Sequence, residues 1–312
     1  MFKVDNTRQI FGEALAEYGV KNKKVVVLTA DVSASVMTTF FAQKNPERFF
    51  NVGIAEAGMI DTAVGFALSG MVPFANTFAA LLLRATEQIR TCVAYANTNV
   101  KIIGSFAGLS DAKDGATHHS IMDIAVFRAM PNMTVIVPSD SIEAKKMIPL
   151  ISEHEGPIYM RISRAEMPIL FDENHKVEIG KGTMMRDGSD VTLIANGHLL
   201  SRVLEAADQL GSQGIKARVV NMPTVKPLDM PLLRKCARET GAIVTAEEHS
   251  IIGGLGGAVA EAISDEIPVP VKRIGVRDKF TESSKDLDPL LDKYGMAVAD
   301  IVKAAQQAVK QK

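Results

Sequence analysis

The residues best equipped for chemistry are a carboxylate, an arginine and a loop dense in acids and histidine. The carboxylate is Glu56, within Asn51-Val52-Gly53-Ile54-Ala55-Glu56-Ala57-Gly58-Met59-Ile60. An extended run, Phe49 to Val52, leads into Gly53. After it Ile60, Ala63, Val64, Ala67 and Leu68 recur at helical spacing. Glu56 precedes Ile60 by one turn, so it falls on the same apolar stripe, in the first turn. A carboxylate on a buried face is costly unless something meets it there. The helix N-terminus favours its charged form and desolvation the protonated one, so it can share a proton with a buried ligand. Asp and Glu are also common in any first turn, and this stretch alone leaves both readings open.

Arg8 is the second candidate. Asp5 can cap a helix whose apolar face is Ile10, Phe11, Ala14, Leu15 and Tyr18. Arg8 then sits in the first turn, where the helix dipole works against a cation. It is either an anion ligand or a solvated side chain. The third candidate is Ala107-Gly108-Leu109-Ser110-Asp111-Ala112-Lys113-Asp114-Gly115-Ala116-Thr117-His118-His119, which has no periodicity and is long for an α/β connection. It follows a strand-like run, Val100 to Phe106, and loops at the carboxyl ends of parallel strands are where such sheets bind ligands.

These candidates need a scaffold, and the pattern supplies one. Val25 to Thr29 reads as a fully buried strand ending at Asp31 and a small-residue loop with Ser33 and Ser35. Val72 to Thr77, Thr134 to Val137 and Pro157 to Ile162 are further strands. Leu81 to Ala96, Ile121 to Met130 and Ser141 to Ser152 are helices, the first with Arg84, Glu87 and Arg90 on its polar side. Alternating β and α elements predict a doubly wound, mostly parallel sheet. From Ala165 to Asp190 the pattern degrades, and a second, smaller α/β unit begins at Val191 to Ala195. Helix Leu199 to Leu210 and strands Ala217 to Val220 and Ala242 to Thr245 follow. The expected domains are 1–170 and 190–312, joined by a linker over 171–189.

Other patterns read as structural. Gly253-Gly254-Leu255-Gly256-Gly257 lacks the third glycine of a dinucleotide fingerprint, Val259 standing in its place, and is better explained by close packing at a helix start. Glu247-Glu248-His249 has adjacent residues that rarely converge on one ion. His154, His175 and His198 sit in polar surroundings and are expected at the surface. Cys92 and Cys236 lie far apart and read as small core residues in a reducing compartment.

A chain of 312 residues is ample for two domains. A net charge of -1 gives no reason to expect nucleic acid or an anionic membrane as partner. No apolar run reaches the ~18 residues that span a bilayer, and the start shows no signal-peptide pattern. A cytoplasmic location is expected.

Gly53-Ile54-Ala55-Glu56, Asp114-Gly115-Ala116-Thr117-His118, Phe127-Arg128-Ala129-Met130-Pro131-Asn132 and Arg161-Ile162-Ser163-Arg164, taken together and in this order, resemble the C-terminal half of a transketolase. Such enzymes use thiamine diphosphate to move two-carbon ketol units between sugars. The resemblance runs from about Thr7 to the end of the chain. It implies a pyrimidine-binding domain followed by the family's C-terminal domain. The Gly-Asp-Gly motif that holds magnesium and diphosphate belongs to the other half of the family and is absent here. A partner subunit is therefore expected to supply that half, with its Mg2+ or Ca2+, and the implied assembly is a heterotetramer with two copies of each chain, or else a homodimer of this one.

By the same resemblance Glu56 is the catalytic carboxylate, bonding a nitrogen of the aminopyrimidine so that its imino tautomer can deprotonate the thiazolium carbon. Phe78 and Leu81 would line the pyrimidine pocket, with Asp31 near the cofactor. His118, with a catalytic role, and Asp114 would contact sugar hydroxyls. Arg8, Ser35 and Arg164 would hold a terminal phosphate or similar anion, for which the planar guanidinium fork is suited. The chain departs from the family pattern at Leu81 and Arg84, where aromatics are usual, at Phe106, where many members carry a substrate-facing histidine, and at His119, where glutamine is common. These departures leave the sugar open, an unusual, branched or sulfonated ketose among the possibilities. A 1-deoxy-xylulose-5-phosphate synthase and the beta subunit of a 2-oxo-acid dehydrogenase share the cofactor class, and a non-catalytic stabilising subunit is the alternative outside it.

Overall fold

The computed structural model describes residues 3–312. A seven-stranded sheet runs, edge to edge, Thr224–Lys226, Thr134–Ile136, Ile158–Ile162, Lys101–Ser105, Val72–Phe78, Val25–Thr29 and Phe49–Asn51. Its neighbours pair in parallel except the first pair, which is antiparallel. Alternation within the buried strand Val25–Thr29 shows why the sheet is covered on both faces. Val25 and Val27 enter one core with Phe11 and Leu15 of helix Thr7–Lys21 and Met147 and Ile148 of helix Ser141–Glu153. Val26 and Leu28 enter the other, with Met59, Ile60 and Ala63 of helix Glu56–Leu68.

A five-stranded sheet, Val271–Val276, Ile243–Ser250, Val191–Ala195, Ala217–Asn221 and Thr183–Arg186, is parallel apart from its last strand. Helices Leu199–Ser212 and Val298–Val309 share its core with Leu109, Ala112 and Ile121, which belong to the long loop and its exit from the first sheet. The architecture is the expected one: a doubly wound, mostly parallel sheet followed by a smaller α/β unit. The two are interlocked, because Thr224–Lys226 of the second unit pairs with Thr134–Ile136 at the edge of the first.

Local differences from the sequence expectations have physical causes. Asn6, not Asp5, caps the first helix, accepting from the Gln9 N–H, while Asp5 accepts from the Ser141 hydroxyl. The expected helix over 81–96 is divided into a 3-10 turn Leu81–Ala85, an α turn Thr86–Gln88 and a π-helical stretch Ile89–Tyr95. Leu68 is 76% exposed, so the apolar stripe of the Glu56 helix stops short of its end. His175 and His198 are not surface residues. Their side chains are only 9% and 10% exposed, His175 stacking on Phe171 and His198 beside Asp288. The glycine run is a packed helix start, as expected. Glu247 accepts from the N–H groups of Leu255 and Gly256 at 2.6 and 2.8 Å, and a side chain on Gly254 would drive its Cβ into that carboxylate.

Candidate active site

The chemistry-bearing residues collect at the carboxyl ends of neighbouring strands of the larger sheet. Asp31 follows Val25–Thr29, Glu56 follows Phe49–Asn51, Phe78 ends Val72–Phe78, Phe106 follows Lys101–Ser105 and Arg164 follows Ile158–Ile162. The order in which strands are added reverses between Val25–Thr29 and Val72–Phe78, the position where open α/β sheets form a ligand crevice. Asp31 and Phe106 both adopt positive φ, 60° and 59°, as the chain turns off its strand.

One side of the crevice is built on Glu56. It opens helix Glu56–Leu68 and is 5% exposed, on the same face as buried Ile60 and Ala63. Among the described residues, Arg84 is the side chain that meets it, Nη1 lying 3.3 Å from Oε1, and Arg84 itself is 62% exposed. Arg84 rises from the same turn as half-buried Leu81. Asn51 ties this region to Asp31: its Oδ1 accepts from the N–H groups of Asp31 and Gly53, and its Nδ2 donates to the Asp31 carboxylate. The Asp31 side chain is held, but it stays exposed.

The other side is aromatic and cationic. Phe78 stacks on Phe106 with ring centroids 4.0 Å apart, and the His118 ring stands edge-on to Phe78 at 6.1 Å. Arg8 and Arg164 both lie over Phe106, their guanidinium carbons 4.7 and 5.2 Å from its centroid. Arg8 donates to the backbone carbonyl of Ser35 at 2.5 Å, so Ser35 meets it through the main chain rather than the hydroxyl. Arg164 pairs with Asp111, a fully buried acid. Burial pulls the Arg8 guanidinium below its usual range, and Arg164 adds to the effect. Burial pushes the Asp111 carboxyl up, opposed by Arg164 and helped by Asp114. Among the described residues, Arg8 Nε and Asp111 Oδ2 are buried without a partner. Two cations, one with a buried spare donor, beside an acid with a spare acceptor, suit a ligand bearing an oxyanion and a hydroxyl.

His118 is half-buried with Nδ1 3.1 Å from the Thr117 hydroxyl, and Asp114 is exposed at the mouth. The residues that sequence reasoning did not assign are Asp111, Arg84 and Asn51. Asp111 is one acid among several in its loop, and only the fold pairs it with Arg164. Glu247, Glu248 and His249 do not converge on an ion. Glu247 holds the helix start, Glu248 accepts from the Leu109 N–H at 2.5 Å, and His249 lies between the N–H of Ala125 and the carbonyl of Ser250.

Residues 4–169 match the family profile "Transketolase, pyrimidine binding domain", and residues 180–301 match "Transketolase, C-terminal domain". The chain is 40% identical to the 6-deoxy-6-sulfo-D-fructose transketolase subunit SqwH of Clostridium sp. (strain MSTE9), over 98% of this chain and 95% of that protein. It is 36% identical to an apulose-4-phosphate transketolase subunit of Phocaeicola vulgatus, over 97% of each. Among solved structures, one described as "Split gene transketolase, inactive beta4 tetramer" superposes with a TM-score of 0.92 at 46% identity, covering 98% of this chain and 99% of that one.

Proposed function

The chain belongs to the transketolase family, and from that premise we propose that it is the pyrimidine-binding subunit of a split, thiamine-diphosphate-dependent transketolase. We take 1–170 as the pyrimidine-binding domain, 171–189 as the join, which carries strand Thr183–Arg186, and 190–312 as the C-terminal domain. The observation that carries the reading is Glu56: a carboxylate 5% exposed, at a helix N-terminus, paired among the described residues with a solvated arginine.

The residues fit an aminopyrimidine ring. Glu56 offers a carboxyl that can share a proton with a ring nitrogen in a dry place, where such a hydrogen bond is strong, and Leu81 and Phe78 offer apolar walls. Leu81 gives aliphatic contact where stacking would fix the ring more firmly. When bound, thiamine diphosphate supplies the carbon acid and electron sink for breaking and remaking the ketose carbon–carbon bond. Glu56 would share a proton with that ring nitrogen and so favour one tautomer of the bound ring, the proton-handling task to which a general acid or base is suited. Asp31 braces the cofactor side of the crevice through Asn51.

On the substrate side, Arg8 and Arg164 hold the ketose's terminal anion, with the Ser35 carbonyl fixing Arg8, while Asp114 and His118 contact its hydroxyls and His118 handles protons at the reacting carbons. The names of the two relatives support an anionic terminus, one carrying a sulfo group and the other a phosphate. Diphosphate and its Mg2+ or Ca2+ are assigned to a partner subunit, in a heterotetramer with two copies of each chain. The 46% identical structure supports the need for a partner, since it is a tetramer of beta chains described as inactive. No helix of the described residues is long and apolar enough to cross a membrane. We place the complex in the cytoplasm, where Cys92 and Cys236 remain thiols.

The test is co-purification with a diphosphate-binding subunit encoded beside it, then a thiamine-diphosphate-dependent ketol-transfer assay over a panel of ketoses. Activity that needs both chains and the cofactor is expected. Full activity of this chain alone, or cofactor-independent transfer, would overturn the reading.

A further inference from the structure

The loop that bears Asp111, Asp114 and His118 is fastened to the second unit as well as to the strand end that carries Arg164. Leu109, Ala112 and Ile121 place their side chains in the core of the smaller sheet. The Ser284 N–H donates to the Ala112 carbonyl at 2.7 Å, and the Ser250 N–H donates to the Ile121 carbonyl at 2.9 Å. Gly115, with φ +78°, lies so close to Ser283 that a Cβ would collide with its hydroxyl. At the centre is His119, whose Nδ1 lies 2.6 Å from the Thr281 hydroxyl and whose Nε2 lies 3.0 Å from the Asp111 carbonyl.

The carbonyl can only accept, so Nε2 carries the proton and Nδ1 of the neutral ring accepts from Thr281. Burial pushes His119 below the ordinary histidine range, which keeps it in that neutral form. A continuous set of contacts then runs from Thr281 through His119 to the main chain of Asp111, and through the Asp111 carboxylate to Arg164 over Phe106.

We infer that Thr281, in the C-terminal domain, is a positioning residue for the substrate loop: it sets affinity for the ketose through His119 and Asp111 without touching cofactor or sugar. The inference rests on the sugar-binding reading of that loop. Thr281 is 6% exposed, and Thr281→Val removes its donor while keeping its shape. The Nδ1 of His119 is then a buried acceptor without a partner, and the ring has no reason to keep its orientation.

The test has two arms. In the reconstituted complex, Thr281→Val should raise KM for the ketose at least fivefold, with kcat changed less than twofold and the thiamine diphosphate half-saturation unmoved. Thr281→Ser, which restores the hydroxyl, should return KM to within about twofold of the parent. In this chain alone, amide hydrogen exchange over 107–121 should quicken in Thr281→Val and not in Thr281→Ser. An unchanged KM, a cofactor half-saturation that shifts as much as KM, or exchange that does not respond would each overturn the inference. If the parent complex transfers no ketol unit from any ketose, the functional reading fails, and the exchange arm still decides whether Thr281 holds the loop.

Discussion

Replacing Arg164 by alanine separates what the anion site does for binding from what it does for the fold. Arg164 is 33% exposed and pairs with an acid that is fully buried. On the binding side, one charge-assisted hydrogen bond contributes about 1.5–3 kcal/mol, and about 1.4 kcal/mol is a factor of ten. The loss of kcat/KM for a ketose with a terminal anion should therefore be about 10- to 150-fold. An uncharged ketose should lose less than about threefold, because it never made the contact. On the stability side, an exposed pair contributes under about 1 kcal/mol, and breaking a buried one costs about 3–5 kcal/mol. With water reaching the arginine, the cost here should be about 2 kcal/mol, or a fall of roughly 3 °C in Tm for a chain of this length. Adding Asp111→Asn removes the stranded acid, so the double variant should recover most of the Tm and none of the KM. The assays are a thermal scan of the chain and steady-state kinetics of the complex with a matched anionic and uncharged ketose. Equal losses for the two ketoses would refute the anion site.

Glu56→Gln keeps the size of the side chain and removes the shared proton. It should lower kcat about 10²- to 10⁴-fold while assembly, read by size-exclusion chromatography, is unaffected; near-parent turnover would refute the role. Glu247 gives a pH prediction. Burial pushes its carboxyl up to about 7 against the pull of the two helix N–H groups, so the folded chain binds a proton that the unfolded chain releases near pH 4.5. Stability from this group is present at low pH and lost as pH rises through 7, on the order of 3 kcal/mol. Urea melts of Glu247→Gln should show a correspondingly shallower decline between pH 5 and 7.5. Gly254→Ala would drive a methyl into the Glu247 carboxylate, and a loss above about 2 kcal/mol is expected in the same melts.

What could be read from the sequence was what local pattern encodes. Val25–Thr29 was legible because a run of β-branched residues and leucine between polar flanks leaves a doubly buried strand as its simplest solution. Helix Leu199–Ser212 was legible because its apolar positions hold the 3.6 period throughout. Glu56 was legible as a buried first-turn acid because its spacing to Ile60 is fixed by that same period. Pairings between distant segments were not legible. The antiparallel pair Val4–Asp5 with Met167–Pro168, and Thr224–Lys226 on the first sheet, join short stretches with no periodic signature of their own. Arg84 reads as a polar-face residue, which it is, and only the packing of its turn against the Glu56 helix brings its tip to a buried acid. His198 and His175 misled because polar neighbours in sequence say nothing of the carboxylates that the fold delivers beside them.

The strand Thr224–Lys226 has a consequence for how the molecule could be cut. A bare outer strand is a template for pairing with other chains, and Thr134–Ile136 would be one if its neighbour were removed. Expressing the first 170 residues by themselves would uncover that row of N–H and C=O groups together with the apolar wall shared by Ile194, Val220, Met222 and Leu255. Such a fragment should clump rather than stay dispersed. The two halves are better regarded as a single folding partnership than as modules that could be exchanged at will.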